Sequence, residues 1–196
     1  MTYMIAVFGY GSLVNQATLP AGTTSMPGTL SGFRRAWRIA GKTPIGHTCG
    51  LTAEPEEGST IRGTLILYPR SELADLDERE WRYDRHDLDL EAFAPDGDAA
   101  EVPEMRIVYR VKPEHERWGD EEHPVIQSYV DCVLRGYFER WGVLGVRHFV
   151  ETTAGWHIPI RRDRAAPRYR RAVRITAEEE ALFDHVLAEA GARWID

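Results

Sequence analysis

The first half of the chain is patterned for strands. Met4 to Phe8 is a short β-branched and aromatic run that stops at Gly9 and Gly11, the signature of a buried strand feeding a tight loop. After Gly28, the stretch Thr29-Leu30-Ser31-Gly32-Phe33 leads into Ala36-Trp37-Arg38-Ile39, with aromatic and aliphatic positions set against polar ones. Leu51-Thr52-Ala53 and Ile61 to Tyr68 predict further strands, and the almost unbroken apolar run Thr64-Leu65-Ile66-Leu67-Tyr68 fits burial on both faces. Arg106 to Val111 alternates Ile107, Tyr109 and Val111 with Arg106, Val108 and Arg110, another strand, and Pro95-Asp96-Gly97 predicts a turn.

Helical spacing appears in three places. Ser71 is placed to cap a helix whose stripe runs Leu73, Leu76, Glu80 and Tyr83. From Val125 to Trp141 the positions Ile126, Tyr129, Val130, Val133, Leu134, Tyr137, Phe138 and Trp141 hold one face, with Pro124 suited to the first turn. Thr176-Ala177-Glu178-Glu179 has the capping-box arrangement and opens a helix through Leu182, Phe183, Val186 and Leu187. Strands with helices inserted among them, without strict alternation, predict a mixed α+β fold in one domain over residues 1–196.

Composition narrows the function classes. With 43% hydrophobic residues, 28% charged residues and six Trp, the chain is expected to fold into a globular core. The formal charge of −7 repels phosphate, so nucleic acid and anionic membrane are not expected as partners. The N-terminal apolar run is too short for a signal-peptide core or a membrane span, and a cytoplasmic location is expected. Cys49 and Cys132 have no CxxC spacing and read as buried thiols. The seven histidines show no HxxxH or HxH spacing, which argues against zinc. Arg161, Arg162, Arg164, Arg168, Arg170, Arg171 and Arg174 crowd one segment, either as a solvated or acid-paired surface or, with Trp156 and Tyr169 nearby, as groups that close over an anionic substrate or meet a partner.

Two features carry candidate chemistry. Glycine tolerates conformations that side chains exclude, so Gly9-Tyr10-Gly11-Ser12 is either a plain bend or a turn that leaves several amide N–H groups in one oxyanion-binding concavity. A dinucleotide site is excluded, because Val14 stands where the third glycine of that fingerprint would pack helix on strand. The second feature is Glu80, which lies on the stripe of Leu73, Leu76 and Tyr83 while Asp75, Glu78 and Arg79 lie off it. A carboxylate facing the interior is costly unless paired or neutral. Glu80 is therefore either a structural ion-pair partner, with Arg85 the candidate, or a group with a raised pKa suited to proton transfer.

Taken in order, the turn Phe8-Gly9-Tyr10-Gly11-Ser12-Leu13, the segment Leu76-Asp77-Glu78-Arg79-Glu80 followed by Tyr83, and the Pro124 to Gly136 helix with Tyr129 resemble the γ-glutamylcyclotransferase-like family. The resemblance runs from residue 5 to about 141, and Thr29-Leu30-Ser31-Gly32-Phe33 and Gly63-Thr64-Leu65 match strand segments. It implies a small mixed β-barrel with peripheral helices, and the stretch at about 142–196, which the resemblance does not reach, is expected as a C-terminal extension of the one domain. It also implies that Glu80 is catalytic and that Tyr10, Gly11, Ser12 and Leu13 bind substrate through backbone amides, with Tyr83 a candidate pocket hydroxyl and Tyr129, on the core stripe of its helix, either a pocket residue or a packing residue. Trp81 and Arg82 follow the glutamate where many members of the family have glycine, which implies a differently shaped pocket wall.

The implied reaction needs no metal or organic cofactor. The α-amine of a γ-glutamyl compound attacks its own side-chain carbonyl, expels an amine and leaves 5-oxoproline, and one carboxyl group serves as base and then as acid. An ordinary Glu near pKa 4.3 takes a proton from an amine near 8 uphill by roughly 5 kcal/mol, and burial narrows that gap. The rival expectation is a noncatalytic binding or regulatory module of the same fold, since fold alone does not fix activity.

Overall fold

A computed structural model describes residues 3–97 and 102–196. Strand β1 (Met4–Gly9) runs into the glycine turn. Two long strands, β2 (Ser25–Thr43) and β3 (Gly46–Pro69), follow as an antiparallel hairpin. A short helix α1 (Leu73–Arg79) leads to β4 (Tyr83–Asp87), β5 (Phe93–Pro95) and β6 (Arg106–Val111). Next come β7 (Val125–Ile126), the long helix α2 (Gln127–Glu151), β8 (Thr153–Ala154) and β9 (Ile160–Arg161). Helix α3 (Ala177–Glu189) and β10 (Trp194–Ile195) complete the order.

The main sheet has the order β4-β6-β1-β3-β2-β5, with β8 also paired to β2. Strand β1 is central, antiparallel to β3 and parallel to β6. Its alternation explains the apolar run. Ala6, Phe8 and Tyr10 join the larger core beneath α2, and Ile5 and Val7 join a second cluster with Ile66, Leu76, Ile107 and Tyr109. The sheet ends at β4 and β5, which do not pair with each other, so it is open. The expected barrel closure is not present among the described residues. The hairpin supplies the curvature instead. Its register shifts between Ser31 and Phe33, where Gly32 takes a φ of 80°, and again between Trp37 and Ile39.

Several local expectations are corrected. The segments read as separate strands over Leu51–Ala53 and Ile61–Tyr68 are parts of the single strand β3. Ser71 lies in a 3-10 turn, and α1 starts at Leu73 after Glu72, with no side-chain cap. The α1 stripe does not continue to Glu80 and Tyr83: Glu80 is the C-cap and Tyr83 begins β4. Pro124 precedes a strand rather than opening α2, whose first residue is Gln127. Beyond the expected end at Trp141, α2 breaks at Gly142, where φ is 61°, and resumes to Glu151. The capping box of α3 forms as read, with Thr176 Oγ1 accepting from the Glu179 amide and the Glu179 carboxylate accepting from the Thr176 amide.

The C-terminal segment shares the main core: Val146, Phe149 and Phe183 pack in the cluster that holds Phe8 and Tyr10. A second small sheet, β7-β9-β10, is parallel throughout. No helix among the described residues is long and apolar enough to cross a membrane.

Candidate active site

The turn after β1 is locked onto α2 from below. Gly11 precedes a single 3-10 turn, Ser12–Val14, in which the Val14 amide donates to the Gly11 carbonyl. Asn15 Nδ2 donates to the Cys132 carbonyl at 2.8 Å, and Arg140 Nε donates to the Val14 carbonyl at 2.8 Å. Gly136 is there for close approach, because a Cβ on it would lie 2.6 Å from the Asn15 backbone. Tyr137 places its hydroxyl between the carbonyls of Tyr10, at 3.0 Å, and Arg62, at 2.7 Å. Fully buried Arg35 donates to that hydroxyl and to the Arg62 carbonyl.

Gly9 and Gly11 are not in left-handed conformations, contrary to the usual reason for glycine in a sharp turn. They are required for space. A Cβ on Gly9 would lie 2.8 Å from Leu13 Cβ, and one on Gly11 would lie 2.6 Å from the Tyr129 hydroxyl. Among the described residues, the amides of Gly11, Ser12 and Leu13 donate to no protein acceptor. They are orphan donors at the head of a 3-10 turn, and they border a cavity of about 190 Å³.

All seven residues read from the sequence as a site line that one cavity: Tyr10, Gly11, Ser12, Leu13, Glu80, Tyr83 and Tyr129. Glu80 reaches it from the turn after α1. Its carboxylate makes no ion pair among the described residues, and Arg85, the expected partner, pairs with Asp77 at 3.1 Å. Burial raises the Glu80 pKa above the ordinary carboxylate value, and the nearby guanidiniums of Arg79 and Arg171 oppose that rise. Tyr83 donates its hydroxyl to the Leu51 carbonyl at 3.0 Å, and Tyr10 donates to the Tyr109 carbonyl at 2.8 Å. The Tyr129 hydroxyl has no protein partner among the described residues, and burial raises its pKa well above the usual phenol range. Trp81 is exposed and does not line the cavity.

The same β-sheet and helix arrangement is found in solved structures. A γ-glutamyl cyclotransferase is similar with a TM-score of 0.59 and 14% identity, over 93% of this chain and 99% of that one. An uncharacterized protein from Homo sapiens is similar with a TM-score of 0.56 and 14% identity, over 92% and 98%. The chain has the γ-glutamylcyclotransferase-like fold. YkqA from Bacillus subtilis matches with a TM-score of 0.52 and 19% identity over 78% of this chain, which spans 56% of that protein. No protein-family model matches the sequence, and no curated protein matches it.

On this γ-glutamylcyclotransferase-like frame, the arginine-rich segment adds what the motif reading did not assign. Tyr169 and Arg171 line the cavity. Tyr169 donates to Ser12 Oγ at 2.8 Å, and Arg171 donates to the Tyr169 hydroxyl at 3.0 Å and to Ser12 Oγ at 3.3 Å. Arg164 serves structure instead, binding the buried Asp131 carboxylate with both Nε and Nη2 at 2.9 Å. Trp156 packs in the core against Trp37 and Phe149 and does not reach the pocket. Val7, Leu51 and Tyr109 also line the cavity from outside the motifs, and the Tyr109 hydroxyl donates to Asp77 at 2.7 Å.

Proposed function

We propose that this protein is a cyclotransferase that releases 5-oxoproline from a γ-glutamyl amine or peptide, with Glu80 as the proton-transfer group. The observation that carries the reading is the shared cavity: a carboxyl group without an ion-pair partner faces the orphan amides of Gly11, Ser12 and Leu13. At about 190 Å³ the cavity is below the roughly 300 Å³ at which sites for drug-sized ligands begin, and it suits a compact polar head group.

In the proposed reaction Glu80 accepts a proton from the substrate α-ammonium, and the freed amine attacks the δ-carbonyl carbon of the same molecule. A C–N bond forms and the carbonyl oxygen takes negative charge, which the turn amides stabilise as fixed donors. The original C–N bond then breaks as Glu80 returns that proton to the departing nitrogen, and the second proton of the new ring nitrogen passes through Glu80 to the freed amine, which leaves as an ammonium ion. Proton and electron pair balance within the substrate and one carboxyl group. The fold of γ-glutamyl cyclotransferase supports this reading, as does burial of Glu80, which brings its proton affinity closer to that of an amine. Holding nucleophile and electrophile together in one folded substrate supplies much of the remaining rate.

The test is 5-oxoproline release from a panel of γ-glutamyl compounds, including glutathione and γ-glutamyl amides. The wild-type protein turns over at least one, and Glu80→Gln loses about a hundredfold to ten-thousandfold in kcat. Binding without turnover in the wild type would identify a noncatalytic module instead.

A further inference from the structure

A second cavity of about 360 Å³ lies beside the first, and the two share Tyr129, Tyr169 and Arg171. The shared wall is an aromatic pair. Tyr129 and Tyr169 meet edge to face, with centroids 5.0 Å apart and planes at 88°, and the Arg171 guanidinium sits 5.7 Å over the Tyr169 ring. Tyr169 is fixed in place by its hydrogen bond to Ser12, and the Tyr129 hydroxyl closes on Gly11. One face of this partition therefore borders the glutamate cavity and the other borders the second chamber.

The lining of the second chamber differs in chemistry from that of the first. It is built from Pro44 and Ile45 at the hairpin tip, Cys49, Ile126 and the tyrosine rings. The Thr43 hydroxyl is already committed to the Gly46 carbonyl at 2.8 Å. Among the described residues no carboxylate lines the chamber, whereas Arg170 and Arg171 do. Such a chamber rewards apolar surface and disfavours a cation, since its lining brings two guanidiniums and, among the described residues, no carboxylate to offset a further positive charge.

We infer that the second chamber is the subsite for the leaving group, and that the preferred substrate is a γ-glutamyl conjugate whose amine side is apolar and uncharged or carboxylated. The inference rests on the cyclotransferase reading. The glutamyl head occupies the glutamate cavity, the scissile bond lies at the tyrosine partition, and the apolar substituent enters the chamber lined by Ile45 and Ile126.

The experiment measures kcat/KM for 5-oxoproline release from γ-glutamyl methylamide, γ-glutamyl isopentylamide, γ-glutamyl-leucine and the cationic γ-glutamyl-cadaverine. The expected result is a preference of about tenfold or more for isopentylamide or leucine over methylamide, with cadaverine poorest. The ratio of the leucine to the isopentylamide conjugate tells whether a carboxylate on the leaving group is read as well. Ile45→Asp, at the chamber wall, lowers the isopentylamide-to-methylamide ratio by about tenfold or more. Turnover of methylamide with no apolar preference, or a ratio that Ile45→Asp does not move, overturns the subsite and leaves the reaction standing. Release from glutathione but from none of the conjugates overturns the subsite alone, and release from neither overturns both.

Discussion

Asp163 caps helix α2 from 35 residues away, accepting the Ser128 amide at 2.6 Å and the Ser128 hydroxyl at 2.5 Å. The residue before α2 offers no side-chain cap of its own, so a distant carboxylate satisfies donors that the helix start leaves open. The same carboxylate accepts the Arg168 amide at 2.9 Å, and the Tyr169 amide donates to Ser128 Oγ at 3.2 Å. One capping interaction thus anchors the segment that brings Tyr169 and Arg171 to Ser12.

Removing that anchor separates stability from positioning. Asp163→Ala should cost about 1–2 kcal/mol through the lost cap. The freed segment should also raise KM for a γ-glutamyl substrate more than it lowers kcat, since Glu80 and the turn remain in place. Urea denaturation gives the first quantity and steady-state kinetics the second. Equal loss in kcat with unchanged KM would show that Tyr169 and Arg171 act only in the transition state.

Gly11 is constrained by the Tyr129 hydroxyl, which a Cβ would meet at 2.6 Å. The clash is with the end of a side chain, so Gly11→Ala should fold, with Tyr129 displaced and activity reduced about tenfold or more by a misaligned site. The double variant Gly11→Ala/Tyr129→Phe removes the opposing oxygen and should recover part of that loss. Gly11→Val fills the cavity itself and should abolish turnover. Circular dichroism on each variant checks that the fold survives.

Much of this site was legible because its residues sit beside strong local signals. Strand β1 is a short apolar run ended by glycine, and the cradle follows it directly. Glu80 was reached by a helical count that the structure does not complete: the carboxylate arrives from the C-cap, and only the inward direction of the count was right. The long hairpin read as pieces because the shifts near Gly32 and Gly58 interrupt its alternation. Tyr169 lies 157 residues from Ser12, and no local period connects them. The available signals were indirect: a crowd of arginines in an acidic chain, and Gly136 inside a helix, where its cost of about 1 kcal/mol against alanine implies close packing.

His148 makes the fold sensitive to acid. Its Nε2 accepts the Arg62 amide at 3.0 Å, so the ring is held neutral. Burial, together with the guanidiniums of Arg35 and Arg62, pushes its pKa down to about 4. An unfolded histidine titrates near 6.5, so between these values the unfolded chain binds the extra proton. The stability from this group is complete above about pH 6.5 and is lost as the pH falls to about 4, a change on the order of 3 kcal/mol at most. His148→Gln, which keeps an acceptor for the Arg62 amide, should flatten that part of the denaturation profile. A slope equal to that of the wild type would assign the acid sensitivity to other groups.

Glu80 obeys the opposite sign, which distinguishes a proton-transfer group from a paired structural one. Burial raises its folded pKa, so over a window above the ordinary carboxylate value the native protein keeps a proton that the unfolded chain has released. Stability from this group is present below the unfolded pKa and declines as pH rises through the folded one. Glu80→Gln stays neutral throughout and escapes that decline. The variant should therefore match the wild type near about pH 4 and exceed it in denaturation midpoint near about pH 7, while losing about a hundredfold to ten-thousandfold in kcat. In the wild type, kcat/KM should fall as pH drops through the raised Glu80 value, because the base must be ionised to accept the substrate proton. A structural ion pair would reverse the first result: its carboxylate would titrate low, and Glu80→Gln would be the less stable protein at neutral pH.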